Sequence, residues 1–275
     1  MRRLDAAAAL PARDPAWHVR CCGLVMTQAL VRDHMTAPAV TEKPESSISV
    51  LVAVLRLRQI SAVPIVEPDG RLVGIVSTTD ILRAPAGARA RDIMSTAVIT
   101  APVDAPLDVA ARRLVAGRVH RIVAMDGDRV AGVLSARDIL AAVKGRKLDE
   151  PVSRAMSFPV ETIDVGAPIE EAVTRLARAN VHGLVVVDGN AAVGLFTQVE
   201  ALAARKLAPS LLAGPVEDVM SYETICLDAS TPIHRAAAYA VAMNVRRILV
   251  VEHRRLVGIV SGVDLVDVLA RAPVA

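Results

Sequence analysis

The seven residues RLVGIVS at positions 71–77 recur unchanged at positions 255–261, a shift of 184 from 71 to 255. Weaker copies fill the interval. Anchored on the glycine, they are Gly74 in LVGIVSTTD, Gly132 in VAGVLSARD, Gly194 in AVGLFTQVE and Gly258 in LVGIVSGVD, spaced 58, 62 and 64 residues apart. A second landmark gives nearly the same spacing: Met35, Met94, Met156 and Met220, in HMTA, IMST, AMSF and VMSY, lie 59, 62 and 64 apart. Two independent rulers therefore divide the chain into four copies of one unit of about 60 residues, the signature of stacked repeats.

Each unit has one order of elements: a methionine turn, a short extended segment, a helix-period stretch rich in Ala and Leu, an apolar strand, a turn, a second strand and a last helix. In the second unit these fall at residues 98–100, 107–116, 121–125, 126–129, 130–134 and 136–143. EPDGR at 67–71 and DGDR at 126–129 are hairpin turns by composition. A unit this short buries too little surface to be comfortable alone, so pairing is expected. The reading is a mixed α/β (α+β) fold: an extension at 1–26, a first pair at 27–143 with repeats 27–84 and 90–143, a linker at 144–151, and a second pair at 152–271 with repeats 152–206 and 216–271.

Composition narrows the function. At 275 residues, 53% hydrophobic and 22% charged, the chain reads as a folded globular protein with a sizeable core. The net charge of +3 is too slight to argue for nucleic acid. Trp17, Phe158, Phe196, Tyr222 and Tyr239 are the whole stock of Phe, Tyr and Trp, too few for a base-stacking platform. Adjacent Cys21 and Cys22 and a lone Cys226 make neither a disulfide framework nor a zinc spacing, which fits a reducing cytoplasm. No apolar run reaches the length of a membrane span, and the AAAAL stretch at 6–10 is short for a secretory core, so a cytoplasmic location is expected.

The four apolar strands ISAVPIV (60–66), VHRIVAM (119–125), VHGLVVV (181–187) and VRRILVV (245–251), each followed by a hairpin and a Gly-x-x-Ser/Thr-x-x-Asp/Glu stretch, resemble the CBS domain, named after cystathionine β-synthase. The resemblance runs from about Thr27 to Leu269. It implies two tandem CBS pairs, which in this family often form a disc, in an arrangement similar to the nucleotide-sensing gamma subunit of AMP-activated protein kinase. It implies a regulatory, energy-sensing role with no chemistry of its own. The expected ligand is an adenosine nucleotide (AMP, ADP or ATP) or a related adenosyl compound such as S-adenosylmethionine, held between repeats. An unidentified regulated protein is the expected partner, with a second copy of the chain, as a homodimer, the other candidate.

Several residue sets carry two readings. Ser77 with Asp80, Ser135 with Asp138, Thr197 with Glu200 and Ser261 with Asp264 fit a capping box, which satisfies the free N–H groups of a first helical turn. The resemblance implies that the Asp also chelates the ribose and that the Ser or Thr meets phosphate at a helix N-terminus. Glu200 is a methylene longer than Asp, so the third site is expected to be empty or altered. His120-Arg121 and Arg246-Arg247 hold equivalent places in the second and fourth units. They suit either the negative end of a helix dipole or phosphate, which Arg grips bidentately. The first and third units have Ser61-Ala62 and His182-Gly183 there. Thr41, Thr100 and Thr162, six residues after their methionines, are ordinary strand residues or, by resemblance, contacts for the base; the fourth unit has Cys226. His34, His234 and His253 share no spacing that would make a metal site or a triad, and core, surface or cap roles are expected of them.

The chain shows no Walker loop, nucleophile elbow or metal cluster, so the expectation is a non-enzyme. The rival from another class is an interaction scaffold whose clefts are vestigial.

Overall fold

The computed structural model describes residues 29–142, 147–179, 181–204 and 207–271. The predicted extension at 1–26, with Trp17, Cys21 and Cys22, lies outside them, as do residue 143, the end of the predicted helix 136–143, and residues 144–146 at the start of the predicted linker.

The first repeat holds α1 (Val31–His34), α2 (Ile48–Leu57), β1 (Ala62–Val66), β2 (Leu72–Ser77) and α3 (Thr78–Arg83). The second holds α4 (Ala90–Ile93), β3 (Thr100–Pro102), α5 (Leu107–Ala116), β4 (Arg121–Asp126), β5 (Arg129–Ser135) and α6 (Ala136–Ala142). The third holds β6 (Thr162–Asp164), α7 (Ile169–Arg178), β7 (Gly183–Asp188), β8 (Ala191–Thr197) and α8 (Gln198–Ala204), and a short α9 (Pro209–Leu212) lies between it and the fourth. The fourth holds β9 (Cys226–Asp228), α10 (Ile233–Ala242), β10 (Arg247–Glu252), β11 (Arg255–Ser261) and α11 (Gly262–Arg271). Among the described residues, no helix is long and apolar enough to cross a membrane.

Every unit closes an antiparallel hairpin. The last three units add a short third strand in parallel with the first hairpin strand. In the first unit that strand shrinks to a single bridge between Glu42 and Ile65. The first hairpin strand is buried on both faces, with three consecutive residues inside: Ile122 to Ala124, Leu184 to Val186, Ile248 to Val250. The helix at Leu107–Ala116 matches the sequence reading. The short strand expected at 98–100 starts two residues later, at Thr100. The cause is local: the Val98 N–H is still turned back on the Thr96 carbonyl at 3.0 Å, and parallel pairing begins with Thr100 opposite Val123.

The two sequence rulers meet in space, but across repeats. A Cβ added to Gly132 would lie 2.6 Å from the sulfur of Met35, and one on Gly74 would lie 2.6 Å from that of Met94. Gly258 stands in the same relation to Met156, and Gly194 to Met220. Glycine is needed at these positions because the methionine fills the space of a side chain. The methionine turns are held in the same exchange by bridges, Thr36 to Val133 and Ile75 to Ser95 between the first and second units, and Ser157 to Ile259 and Leu195 to Ser221 between the third and fourth. The exchange joins first with second and third with fourth, giving two tandem pairs.

The pairs meet through helices. One core joins the second and fourth repeats, with Leu114, Ile139 and Leu140 against Ile233, Ala237 and Leu265. The other joins the first and third, around Leu51, Ile81, Leu176 and the fully buried Phe196.

Candidate functional site

The hairpin register builds one end of every unit alike. Ser135 lies opposite Arg121, Ser261 opposite Arg247, Thr197 opposite Gly183 and Ser77 opposite Ala62. Thr100, Thr162 and Cys226 pair with Val123, Val185 and Leu249, two residues further along the same strands. Two residues of strand span about 6.6 Å and return to the same face. The register therefore sets the base-contact candidates one dipeptide from the cation candidates, with the Ser or Thr of the cap beside the latter. Thr41 immediately precedes the bridging Glu42.

The helix caps form as the sequence suggests. The Asp80 carboxylate accepts from the Ser77 N–H at 2.7 Å and from the Ser77 hydroxyl at 2.6 Å, while Ser77 Oγ accepts from the Asp80 N–H at 3.4 Å. Asp138 with Ser135, and Asp264 with Ser261, repeat this geometry. In each case a single oxygen, Oδ2, takes both bonds to the cap, leaving Oδ1 for another donor. Glu200 also bonds Thr197 through one oxygen, but the Thr197 hydroxyl accepts instead from the Val199 N–H at 3.2 Å, so the reciprocal box is broken.

The cations converge. The helix α5 ends in a left-handed residue, Arg118 at φ +50°, with the Val119 N–H bonded to the Leu114 carbonyl, and the reversed chain enters β4 through His120 and Arg121. Asn244 at φ +53° does the same ahead of Arg246 and Arg247. The carbonyls of these helix ends are thus met by the turn's own N–H groups. His120 and His182 stand edge to face with ring centres 4.9 Å apart, which brings the second and third repeats together. Burial, then the charges of His182, Arg247, Arg121 and Arg246, push the His120 ring down to about 3, so it is neutral at physiological pH. Burial and Arg247 lower His182 as well. Arg121 falls to about 10 through burial and the neighbouring Arg246, and Arg247 falls to about 10 for the same two reasons. Asp138 offsets part of this for Arg121, and Glu200 for Arg247. Neither carboxylate reaches ion-pair distance, and none of Arg121, Arg246 and Arg247 has a hydrogen-bond or ion-pair partner among the described residues. Five basic side chains from three repeats, drawn from both pairs, therefore share a centre with too little negative charge.

These features, repeated four times with the same register, fix the family. A family model for the CBS domain matches residues 31–87, 90–145, 152–206 and 216–271. The chain belongs to the CBS domain family. Its four CBS repeats share their fold with protein MJ1225 of Methanocaldococcus jannaschii, proposed as an archaeal homologue of g-AMPK: the TM-score is 0.79 at 17% identity, over 87% of this chain and 99% of that one. The CBS pair of protein MJ0100, solved with 5-methylthioadenosine and S-adenosyl-L-methionine, is 32% identical over 43% of this chain and 98% of its own, with a TM-score of 0.41. A curated relative, L-aspartate semialdehyde sulfurtransferase of Methanocaldococcus jannaschii, is 32% identical over 43% of this chain and 24% of its own length. The chain thus spans about a quarter of that relative. Other CBS structures are solved in complex with AMP and with ATP.

Some residues of this CBS centre escape sequence reading. Gln198 follows the cap residue Thr197, where the other repeats have Thr78, Ala136 and Gly262, and its side chain is buried between repeats. Arg83 and Arg137 cross between the pairs to the carbonyls of Ala177 and Val241, at 3.1 and 3.3 Å. Those carbonyls sit at matching places in α7 and α10. His234 donates from Nδ1 to the Leu148 carbonyl at 2.7 Å, which ties the first turn of α10 to the segment ahead of the third repeat. A cavity of about 290 Å³ lined by Lys43, Glu45, Glu67 and Arg91 lies at the far, turn end of the first hairpin, where Arg91 is paired with Glu45. It is remote from the cation centre in register, and the chemistry points to the centre.

Proposed function

We propose that the chain is a non-catalytic, cytoplasmic regulatory sensor that binds an adenosine phosphate between its CBS repeats and passes the bound state to a partner protein. The observation that carries this reading is the cation centre. Burying like charges without partners is costly, and the basicity of Arg121 and Arg247 is lowered for that reason. An anion supplied from outside relieves it, and a ligand that binds only the folded state stabilises it in turn. Phosphate is assigned to His120, Arg121, Arg246 and Arg247. Ribose is assigned to the free carboxylate oxygens of Asp80, Asp138 and Asp264 beside Ser77, Ser135, Thr197 and Ser261. The base is assigned to the strand ends at Thr41, Thr100 and Thr162. Residues 27–143 and 152–271 form the two sensing pairs in this reading, with 144–151 between them.

Calorimetric titration with AMP, ATP, S-adenosylmethionine and adenosine tests it. Micromolar binding of a phosphate-bearing ligand corresponds to about −8 kcal/mol. Arg121→Ala and Arg247→Ala should each weaken AMP by roughly 1.5–3 kcal/mol and leave adenosine nearly unchanged. Equal losses for AMP and adenosine would refute the phosphate assignment, and silence across the whole set would leave the scaffold with vestigial clefts.

A further inference from the structure

Gln198 satisfies three groups at once. Its Oε1 accepts from the buried Thr78 hydroxyl at 2.6 Å, and its Nε2 donates to the Thr79 hydroxyl at 2.6 Å and to His182 Nδ1 at 3.0 Å. Both amide protons are committed, one on each side. An imidazole nitrogen that accepts such a bond cannot itself carry hydrogen, so the proton of a neutral His182 resides on Nε2, at the opposite edge of the ring. That ring stands against His120 and Arg247 at the cation centre. The reversed amide is also self-consistent: Oε1 would then accept from His182 Nδ1–H and from Thr79, while Nε2 donated to Thr78. In that state His182 would present a lone pair at Nε2 in place of a donor; the structure has the first arrangement, with Oε1 on Thr78 and Nε2 on Thr79 and His182.

We propose that Gln198 is a positioning residue that locks His182 as the Nε2–H tautomer, so that the third repeat contributes a hydrogen-bond donor to the centre although it lacks the arginine found in the second and fourth. The anchor for this lock comes from the opposite pair. Thr78 and Thr79 open α3 immediately after Ser77 and lie two residues and one residue before Asp80, so the donor state of His182 is wired to the cap of the first repeat. The gain in anion binding rests on the phosphate reading above; the tautomer itself does not.

The test is long-range proton–nitrogen NMR on the ligand-free full chain, with His182 assigned through a His182→Asn control. The expected spectrum shows a pyridine-type Nδ1 and a pyrrole-type Nε2 on His182 at neutral pH; the opposite assignment overturns the proposal. In Gln198→Met, which keeps the volume and removes all three bonds, both tautomers should appear and the AMP dissociation constant should rise about three- to tenfold. A His182 that keeps the single Nε2–H form in that variant also overturns it. If the variant does not fold, the wild-type spectrum still decides. If the wild type binds no AMP, the phosphate reading fails separately, while the tautomer result continues to stand for or against Gln198.

Discussion

The two contacts between the CBS pairs occupy equivalent places and are built from opposite materials. Where the second and fourth repeats meet, the residues after the caps are Ala136 and Gly262, and a Cβ added to Gly262 would touch that of Ala136 at 3.5 Å. Where the first and third meet, the same two positions are Thr78 and Gln198, joined by a buried hydrogen bond. Each contact is also bridged by an arginine, Arg137 or Arg83, to the matching carbonyl. Small residues permit close helix approach and have one way to pack. A buried amide is held by directional hydrogen bonds instead. The difference teaches that one contact rests on packing alone at these positions while the other is tied through His182 to the cation centre.

The largest effect should come from the close contact. Gly262→Ala places a methyl at ordinary van der Waals distance and should leave the melting temperature near the parent value. Gly262→Leu must displace α6 and should cost about 3 kcal/mol by overpacking. Equal stability of the two variants in urea denaturation would show that the contact is looser than described.

Acid should act on the centre between the two contacts. The folded pKa of His120, about 3, lies below its unfolded value near 6.5. The unfolded chain therefore binds more protons between these values, so the stability is present in full above about pH 6.5 and is lost as pH falls towards 3. The loss should amount to a few kcal/mol, and His120→Asn should flatten the slope. Bound AMP should oppose the loss, because phosphate favours the protonated ring. A parent and a His120→Asn variant with the same acid profile would place the titrating group elsewhere.

Thr78→Val should cost roughly 1–3 kcal/mol, because it leaves a buried amide oxygen without its donor. Adding Gln198→Leu should return part of that, since removing both partners of a buried bond is cheaper than removing one. Simple additivity in this double-mutant cycle would mean that the two side chains do not depend on each other. The smallest effects are expected for Arg83→Met and Arg137→Met. Both arginines are exposed, so each change should cost under about 1 kcal/mol and by similar amounts. A tenfold disparity in their unfolding constants would break the equivalence of the two bridges.

How much of this was legible in the sequence depends on whether the signal recurs. The four units, their hairpins and the capping boxes repeat, and the cation candidates recur in two of four copies; all are visible without coordinates. The methionine and glycine landmarks were equally plain, yet their equal spacing hid the partner: Met35 meets Gly132 and not Gly74, since a constant interval is the same for either choice. Which carboxylates act on the arginines was likewise not legible: the charge of Asp138, in the same repeat, is felt by Arg121 and that of Glu200, in the neighbouring one, by Arg247, neither at ion-pair distance. Gln198 was opaque because its position is polar in one pair of repeats and small in the other. Only the facing of first on third gives it meaning. Arg83 and Arg137 reach matching carbonyls from different helix positions, six and two residues past their caps, so no alignment of the repeats would pair them.

The exchange of methionine turns bears on what can be inherited or cut. A fragment ending before Met94 would carry a hairpin with a vacant slot at Gly74 and a Met35 whose seat, Gly132, had been removed. Two such fragments can satisfy one another only by meeting face to face, Met35 of each on Gly74 of the other. The repeat is thus the period of the sequence, while the pair is the smallest length of chain whose methionine turns are all seated within it.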